Sequence, residues 1–124
     1  MVSVLFVILA AICNAVMDKI SFHYYKSIFV KYKPFFWYPQ VSWKNKYING
    51  NPCYGRRKFL VFNLHPAFTD AWHLFKSLMI VFLVSAIIFY DPIFCILIDF
   101  IIFGIAWNVV FVQFFNNIFK LKTT

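Results

Sequence analysis

Residues 77–119 read SLMIVFLVSAIIFYDPIFCILIDFIIFGIAWNVVFVQFFNNIF, two long apolar runs separated by Asp91 and Pro92. The second run provides by itself the roughly 20 residues that a helix needs to cross a bilayer, and the first run does so together with the residues before Ser77. Because a proline ends or kinks a helix, the Asp91-Pro92 pair indicates a turn between two spans. The pattern predicts helix two over residues 69–90, with Thr69 as its N-cap, and helix three over residues 93–119.

A third apolar run lies near the N-terminus, where residues 2–17 carry no charge. It predicts helix one over residues 2–21, and the absence of Lys or Arg before Lys19 favours an uncleaved anchor over a signal peptide. The 124-residue chain is 63% hydrophobic and 13% charged, a composition that excludes an ordinary soluble domain. We therefore predict an all-α integral membrane protein, a single membrane domain over residues 1–124, with three transmembrane helices.

The predicted spans one and two are joined by a long aromatic, basic loop over residues 22–68. Ten of the 12 Lys and Arg residues lie within residues 18–76, together with only two acidic residues. Aromatic rings interleaved with Lys are typical of the membrane–water interface, so we expect this loop to lie along the membrane surface. The apolar stretch at residues 59–64 is too short to cross and is interpreted as interfacial or re-entrant.

The charge distribution also predicts an orientation in the cytoplasmic (inner) membrane. Basic segments stay on the cytoplasmic side, which places the N-terminus outside and both the loop and the C-terminus in the cytoplasm. The expected partners are membrane lipids, in particular anionic ones, and a larger membrane complex or a homo-oligomer. We expect no nucleic-acid partner, because the basic segment is flanked by apolar helices.

Three residues are candidates for catalysis or metal binding. Asp18 lies at the cytoplasmic end of helix one and Asp70 and His73 at the start of helix two, at the same predicted depth. Two carboxylates and an imidazole are the ingredients of a divalent metal site or of an acid–base pair that acts on a lipid headgroup. The alternative, which we favour, is that Asp70 caps helix two and Asp18 pairs with a lysine. We accordingly expect no metal and no cofactor.

The loop segment Ser42–Tyr47 combines hydroxyl, amide and ammonium donors with two aromatic rings. We expect it to fold back onto helices one and two through a Lys46–Asp70 or a Lys44–Asp18 ion pair. The resulting polar pocket could hold a lipid phosphate, as an alternative to a simple interfacial anchor. Its predicted residues are Asn14, His23, Ser42, Trp43, Asn45, Lys46 and Lys76.

Helix three contains polar residues within the predicted membrane span, namely Asp99, Asn108 and Gln113. An ionised carboxylate about two turns inside a span is costly, so Asp99 is expected to face protein. Hydrogen bonding between helices is favoured over a proton or ion path, because no Lys, Arg or His lies deep in the other spans.

Three polar blocks resemble those of a family of small uncharacterised membrane proteins from bacterial and phage genomes. The blocks are Asn14–Asp18 (NAVMD), Ser42–Tyr47 (SWKNKY) and Thr69–Ser77 (TDAWHLFKS). The resemblance implies no activity and no catalytic residue. It implies only that the three blocks belong together.

Three classes of function follow. The favoured one is a non-enzymatic subunit, scaffold or lipid-binding accessory protein. The second is a metal- or acid/base-dependent hydrolase or transferase of lipid headgroups at the inner leaflet, with Asp18, Asp70 and His73 as its candidate catalytic residues. The third is a holin-like or channel-forming oligomer whose pore is lined by Asp99, Asn108 and Gln113. The elaborate loop argues against a bare pore.

Overall fold

The computed structural model describes residues 1–59, 62–63 and 66–122. Its helices, in chain order, are α1 (Val2–Phe22), α2 (Pro34–Trp37), α3 (Pro39–Ser42), α4 (Ala71–Ile88) and α5 (Ile96–Gln113). A π-helical turn over Phe114–Ile118 continues α5. Three of these helices, α1, α4 and α5 with its continuation, are long and apolar enough to cross a membrane. The prediction of three such helices is confirmed.

Two helix starts differ from the sequence prediction by two or three residues, and the second long helix ends at Ile88 instead of residue 90. The second long helix begins at Ala71, with Asp70 rather than Thr69 as its N-cap, because the Asp70 carboxylate accepts a hydrogen bond from the backbone N–H of His73. The third begins at Ile96 and not at residue 93. There the Asp99 carboxylate accepts hydrogen bonds from the backbone N–H groups of Ile93 and Phe94, which holds these residues outside the helix.

Helix α1 is the central element of the bundle. It packs against both α4 and α5, whereas α4 and α5 make few contacts with each other. Its most apolar stretch is 56% buried, compared with 11% for α4 and 6% for α5. Fully buried Ala10, Ala11 and Ala15 allow neighbouring backbones to approach α1 closely. The two outer helices therefore expose most of their apolar surface.

The loop between α1 and α4 is a chain of single turns. Pro34 and Pro39 start α2 and α3, because the fixed φ of proline suits the first helical position. The remaining turns are 3-10 helices at Tyr24–Lys26, Ile28–Lys31, Trp43–Lys46, Ile48–Gly50, Pro52–Tyr54 and Pro66–Phe68. The loop is thus locally folded and not an extended linker.

Residues 24–47, which we call the aromatic cap, pack on the ends of the long helices. The rings of Phe29 and Trp37 stack with 4.9 Å between centroids and 9° between planes. Trp37 also contacts Phe75 of α4 at 5.9 Å, and Phe29 contacts Phe119, just after α5, at 5.1 Å. The cap therefore shares one hydrophobic core with the start of α4 and the end of α5.

Beyond the cap the chain forms two small antiparallel pairings. Tyr47 pairs with Arg56, and the turn between them uses the positive φ angles of Asn49, Gly50 and Gly55. Strand β1 (Lys58–Phe59) then pairs with β2 (Phe62–Asn63), with Lys58 opposite Asn63. This hairpin is an addition to the predicted all-α fold. Of the predicted re-entrant stretch, residues 59–64, residues 60, 61 and 64 lie outside the described residues, and residues 59, 62 and 63 belong to this hairpin.

Candidate functional site

Asp70 organises a polar cluster at the start of α4. The carboxylate is 2% exposed and lies 2.8 and 2.9 Å from the Nδ1 of His73. It also accepts hydrogen bonds from the backbone N–H of His73 at 2.9 Å and from the hydroxyl of Thr69 at 3.2 Å. An ionised carboxylate can only accept hydrogen bonds, so Nδ1 of His73 carries the proton that it donates to Asp70. The other ring nitrogen, Nε2, takes no part in this contact. The arrangement both caps the helix and orients an imidazole.

Asn45 connects the aromatic cap to this cluster. Its buried side-chain amide donates to the backbone carbonyl of Phe35 at 2.6 Å and to that of Thr69 at 2.9 Å. This amide joins the segment Ser42–Tyr47 to the start of α4, one of the two helices onto which the segment was expected to fold. The expected lysine ion pairs are not formed, because the Nζ atoms of Lys44 and Lys46 lie over the rings of Trp43 and Tyr47, at 5.7 and 5.4 Å.

Asp18 stands apart from Asp70 and His73. It is half-buried on α1, one turn after the half-buried Asn14, and within the described ranges no hydrogen bond or ion pair joins it to either residue. Among all the residues that the structure describes, no group of three His, Cys, Asp or Glu side chains is arranged to hold a metal ion. The chemistry available at the start of α4 is therefore that of an Asp–His pair.

The other predicted pocket residues lie in different surroundings. Lys76 is exposed, with its Nζ 4.9 Å from the ring centroid of Trp72. Ser42 is buried within the cap, while Trp43 is exposed and meets Tyr47 edge-on. His23 lies at the end of α1, against Phe115, and belongs to a different cluster.

That second cluster is basic and lies where α1 and α5 end. Lys19 is 5% exposed; its ammonium donates to the backbone carbonyl of Phe115 at 2.7 Å and lies 4.4 Å from the centroid of the Phe115 ring. The cation thus satisfies a carbonyl at the negative end of a helix. Beside it is a cavity of about 360 Å³ lined by Lys19, His23, Lys26, Asn116, Asn117 and Lys120.

Backbone pairing brings the sequence-distant members of the basic cluster together. Ser27 pairs with Lys120, and the N–H of Leu121 donates to the carbonyl of Lys26 at 2.9 Å. The N–H of Ile28 donates to the carbonyl of Phe119 at 3.1 Å. The segment after α5 is therefore attached to the first turns of the cap, which fixes Lys26 and Lys120 at the same cavity.

The polar residues of α5 are satisfied locally. Asp99, 1% exposed, lies in the first turn of α5 and not two turns inside it, and it accepts a hydrogen bond from the hydroxyl of Tyr90 at 2.9 Å. This bond to a carboxylate, with further effects of burial and nearby charge, raises the pKa of Tyr90. Asn108 donates to the carbonyl of Gly104, and Gln113 accepts from Asn117. The expected hydrogen bonds between helices are instead bonds within α5 or to the turn before it.

The basic cavity was missed by sequence reasoning, although one signal pointed to it. Lys19 lies in the last turn of the predicted first helix and His23 follows four residues later, and the charge pattern placed Lys120 on the same side of the membrane. What the pattern lacked was the pairing of residues 26–28 with residues 119–121, which has no signature in the sequence.

Comparisons with known proteins add no relationship. The chain matches no protein-family model, and searches of curated proteins and of solved structures found no similar protein. The resemblance of its three polar blocks to small bacterial and phage membrane proteins stays a prediction.

Proposed function

We propose that the chain is an integral protein of the cytoplasmic membrane that acts without catalysis, as a lipid-binding accessory or scaffold subunit. In this proposal α1, α4 and α5 cross the bilayer, and the aromatic cap lies at its cytoplasmic surface. The exposed apolar surface of the outer helices supports membrane insertion. Ile87 of α4 and Phe100 of α5 are 76% and 77% exposed, which would be unfavourable in water and is ordinary against lipid.

The observation that carries the proposal is the aromatic cap itself. It packs onto the ends of all three long helices, so it holds its lysines in place relative to the bundle. Lys31, Lys33 and Lys44 are exposed on it. Near an anionic membrane surface each such charge contributes about 1 kcal/mol of attraction. A rigid basic surface at one end of an apolar bundle fits recognition of anionic headgroups.

The orientation is proposed from charge. The end of α1, the start of α4 and the end of α5 lie on the side of the cap, and this side carries the excess of Lys and Arg. The opposite end contains Asp91 and Asp99. The positive-inside tendency therefore favours a cytoplasmic cap.

A membrane partner is part of the proposal. A cleft of about 470 Å³ is lined by Val7 of α1, Leu83, Ala86 and Ile87 of α4, Tyr90 and Phe103. Since α4 and α5 make few contacts with each other, this apolar cleft is suited to an acyl chain or to a helix of a larger complex or homo-oligomer.

A second candidate function is favoured by one observation, the Asp70–His73 pair. A histidine oriented by a carboxylate is the usual form of a general base, and this one lies at the depth proposed for lipid headgroups. Release of a headgroup from phospholipid by the purified protein, lost in His73→Gln, would support catalysis. Absence of such release would leave Asp70 and His73 with a structural role.

The lipid-binding proposal is tested by placing the purified protein in nanodiscs of phosphatidylcholine with and without phosphatidylglycerol. We expect a higher unfolding temperature with the anionic lipid, and a difference that shrinks as salt is added, because salt screens exposed charges. Equal unfolding temperatures in the two lipid mixtures would contradict lipid recognition by the cap.

A further inference from the structure

The cavity between the ends of α1 and α5 has an unusual charge balance. Three of its six lining residues are Lys and one is His, and none of the described residues that line it is acidic. Within residues 1–59 and 66–122, the structure forms one carboxylate ion pair, between Asp70 and His73, at a different cluster. The cations of the cavity therefore have no carboxylate partner in the described chain.

The carbonyl groups at the helix end satisfy only part of the hydrogen-bonding capacity of these cations. The ammonium of Lys19 is bonded to the carbonyl of Phe115, but it has three donors, and this bond uses one of them. Lys26 and Lys120 are exposed, and the backbone pairing of their segments keeps them at the same cavity. Holding like charges together is unfavourable, and an anion between them would reverse the sign of the interaction.

The remaining lining groups suit an oxyanion. Asn117 uses its amide to bond Gln113, whereas Asn116 is exposed and can direct its amide N–H groups to a ligand. Lysines bind phosphate as point charges, and amides add directed hydrogen bonds. A volume of about 360 Å³ is ample for a phosphate group, with room for the atoms that carry it.

We propose that this cavity is a phosphate-binding site, in which Lys26, Lys120 and Asn116 contact the ligand and buried Lys19 provides a fixed positive charge beside it. This inference rests on the proposed membrane location, since it gives the site its nearest source of phosphate, the headgroups of the cytoplasmic leaflet. The same chemistry would accept a soluble phosphate. The ligand is therefore the phosphate group, and binding of a phospholipid can be measured separately from binding of the soluble ion.

The test measures binding of phosphatidic acid to the protein in phosphatidylcholine nanodiscs, and of inorganic phosphate to the protein in detergent. The cavity variant is Lys26→Gln with Lys120→Gln, and the control is Arg56→Gln with Lys58→Gln, which removes the same charge from exposed positions outside both the cavity and the aromatic cap. Asn116→Ala is a third variant that leaves the charge unchanged. High salt suppresses non-specific attraction in all of them.

We expect the cavity variant to lose about tenfold in affinity for phosphatidic acid, Asn116→Ala a smaller factor, and the control less than about twofold. Comparable binding of inorganic phosphate, lost in the same variants, would support the site with a soluble ligand. If the wild-type protein bound inorganic phosphate but showed no preference for anionic lipid, the site would stand and the lipid-binding function would fail.

Two outcomes would overturn the site. Equal losses in the cavity variant and in the control would show that only overall charge matters, which leaves lipid binding by the cap intact. Absence of binding of either ligand to the wild-type protein would also overturn it. The unfolding temperature of each variant, measured without phosphate, shows whether it is folded.

Discussion

Two polar clusters lie at the same end of the bundle, and they differ in how their charges are met. At the start of α4, Asp70 accepts hydrogen bonds from His73 and Thr69, so donors from its own segment stabilise the charge of this buried acid. In the basic cavity, Lys19, Lys26 and Lys120 come together and the described residues of the chain provide no acid. A cluster whose polar groups bond one another stabilises the fold. A cluster of like charges without a counter-charge is suited to binding a ligand.

The largest effect is expected from Asp70→Ala. The variant loses the N-cap of α4 and the partner of His73, and we expect the free energy of unfolding to fall by about 3 kcal/mol. Asp70→Asn is the matched control, since it keeps a cap acceptor, and it should cost about 1 kcal/mol. Unfolding in detergent measures both. An unchanged free energy of unfolding in Asp70→Ala would mean that this cluster does not stabilise the fold.

A somewhat smaller effect is expected from Asn45→Ala, which removes one hydrogen bond from each of two backbone carbonyls. We expect a loss of about 2 kcal/mol. In double-mutant cycles with Asp70→Asn, Asn45→Ala should couple by more than about 0.5 kcal/mol, because Thr69 contacts both side chains. Lys46→Met should be additive with Asp70→Asn. Strong coupling of Lys46 and none of Asn45 would reverse this assignment.

The Tyr90–Asp99 contact offers a comparison in pH. The folded-state pKa of Tyr90 is raised, mainly by the hydrogen bond to Asp99, so protonation of the Tyr90 hydroxyl favours the folded state. This contribution is present below the ordinary tyrosine pKa of about 10 and is lost as the pH rises through the higher folded-state value. We expect Tyr90→Phe to be less sensitive than wild type to alkaline unfolding. An identical pH profile would contradict the contact.

Two further tyrosines titrate in the same direction and define the background of that experiment. Burial, with the neighbouring Tyr25, raises the pKa of Tyr24. A hydrogen bond to Tyr25, followed by burial and neighbouring charge, raises the pKa of Tyr38. Some alkaline destabilisation should therefore persist in Tyr90→Phe, and Tyr38→Phe is its matched comparison in the cap.

The smallest effect on stability is expected at the basic cavity. Without phosphate, Lys26→Gln with Lys120→Gln should change the free energy of unfolding by less than about 0.5 kcal/mol, because exposed charges contribute little. Measured beside Asp70→Ala, this variant sharpens the contrast between a structural and a ligand-binding cluster. A loss of several kcal/mol would mean that these lysines hold the fold together.

The three long helices were predictable because length and apolarity alone identify them. The rotation of each helix about its own axis was not predictable. Asp18, Asp70 and His73 lie at one predicted depth, but packing on Ala10, Ala11 and Ala15 decides which face of α1 meets its neighbours.

The aromatic cap was predictable in composition and not in structure. Its rings were interpreted as interfacial anchors, and composition cannot distinguish a ring in lipid from one that stacks on another ring, as Phe29 does on Trp37. The caps at Asp70 and Asp99 depend on local hydrogen bonds that shift a helix start by two or three residues.

The proposed membrane topology can be measured with the native cysteines, which the structure places favourably. Cys53 and Cys95 are both exposed, the first in the loop beyond the cap and the second in the turn before α5, while Cys13 is buried. Two single-cysteine proteins follow, Cys13→Ala with Cys95→Ala and Cys13→Ala with Cys53→Ala. They are labelled in intact cells with a membrane-impermeant maleimide, and inside-out vesicles provide the reciprocal control.

We predict that Cys95 is labelled from outside intact cells and that Cys53 is labelled only after lysis or in inside-out vesicles. Labelling of Cys53 in intact cells would place the aromatic cap and its lysines outside, and would contradict the account of a basic cap at the cytoplasmic membrane surface.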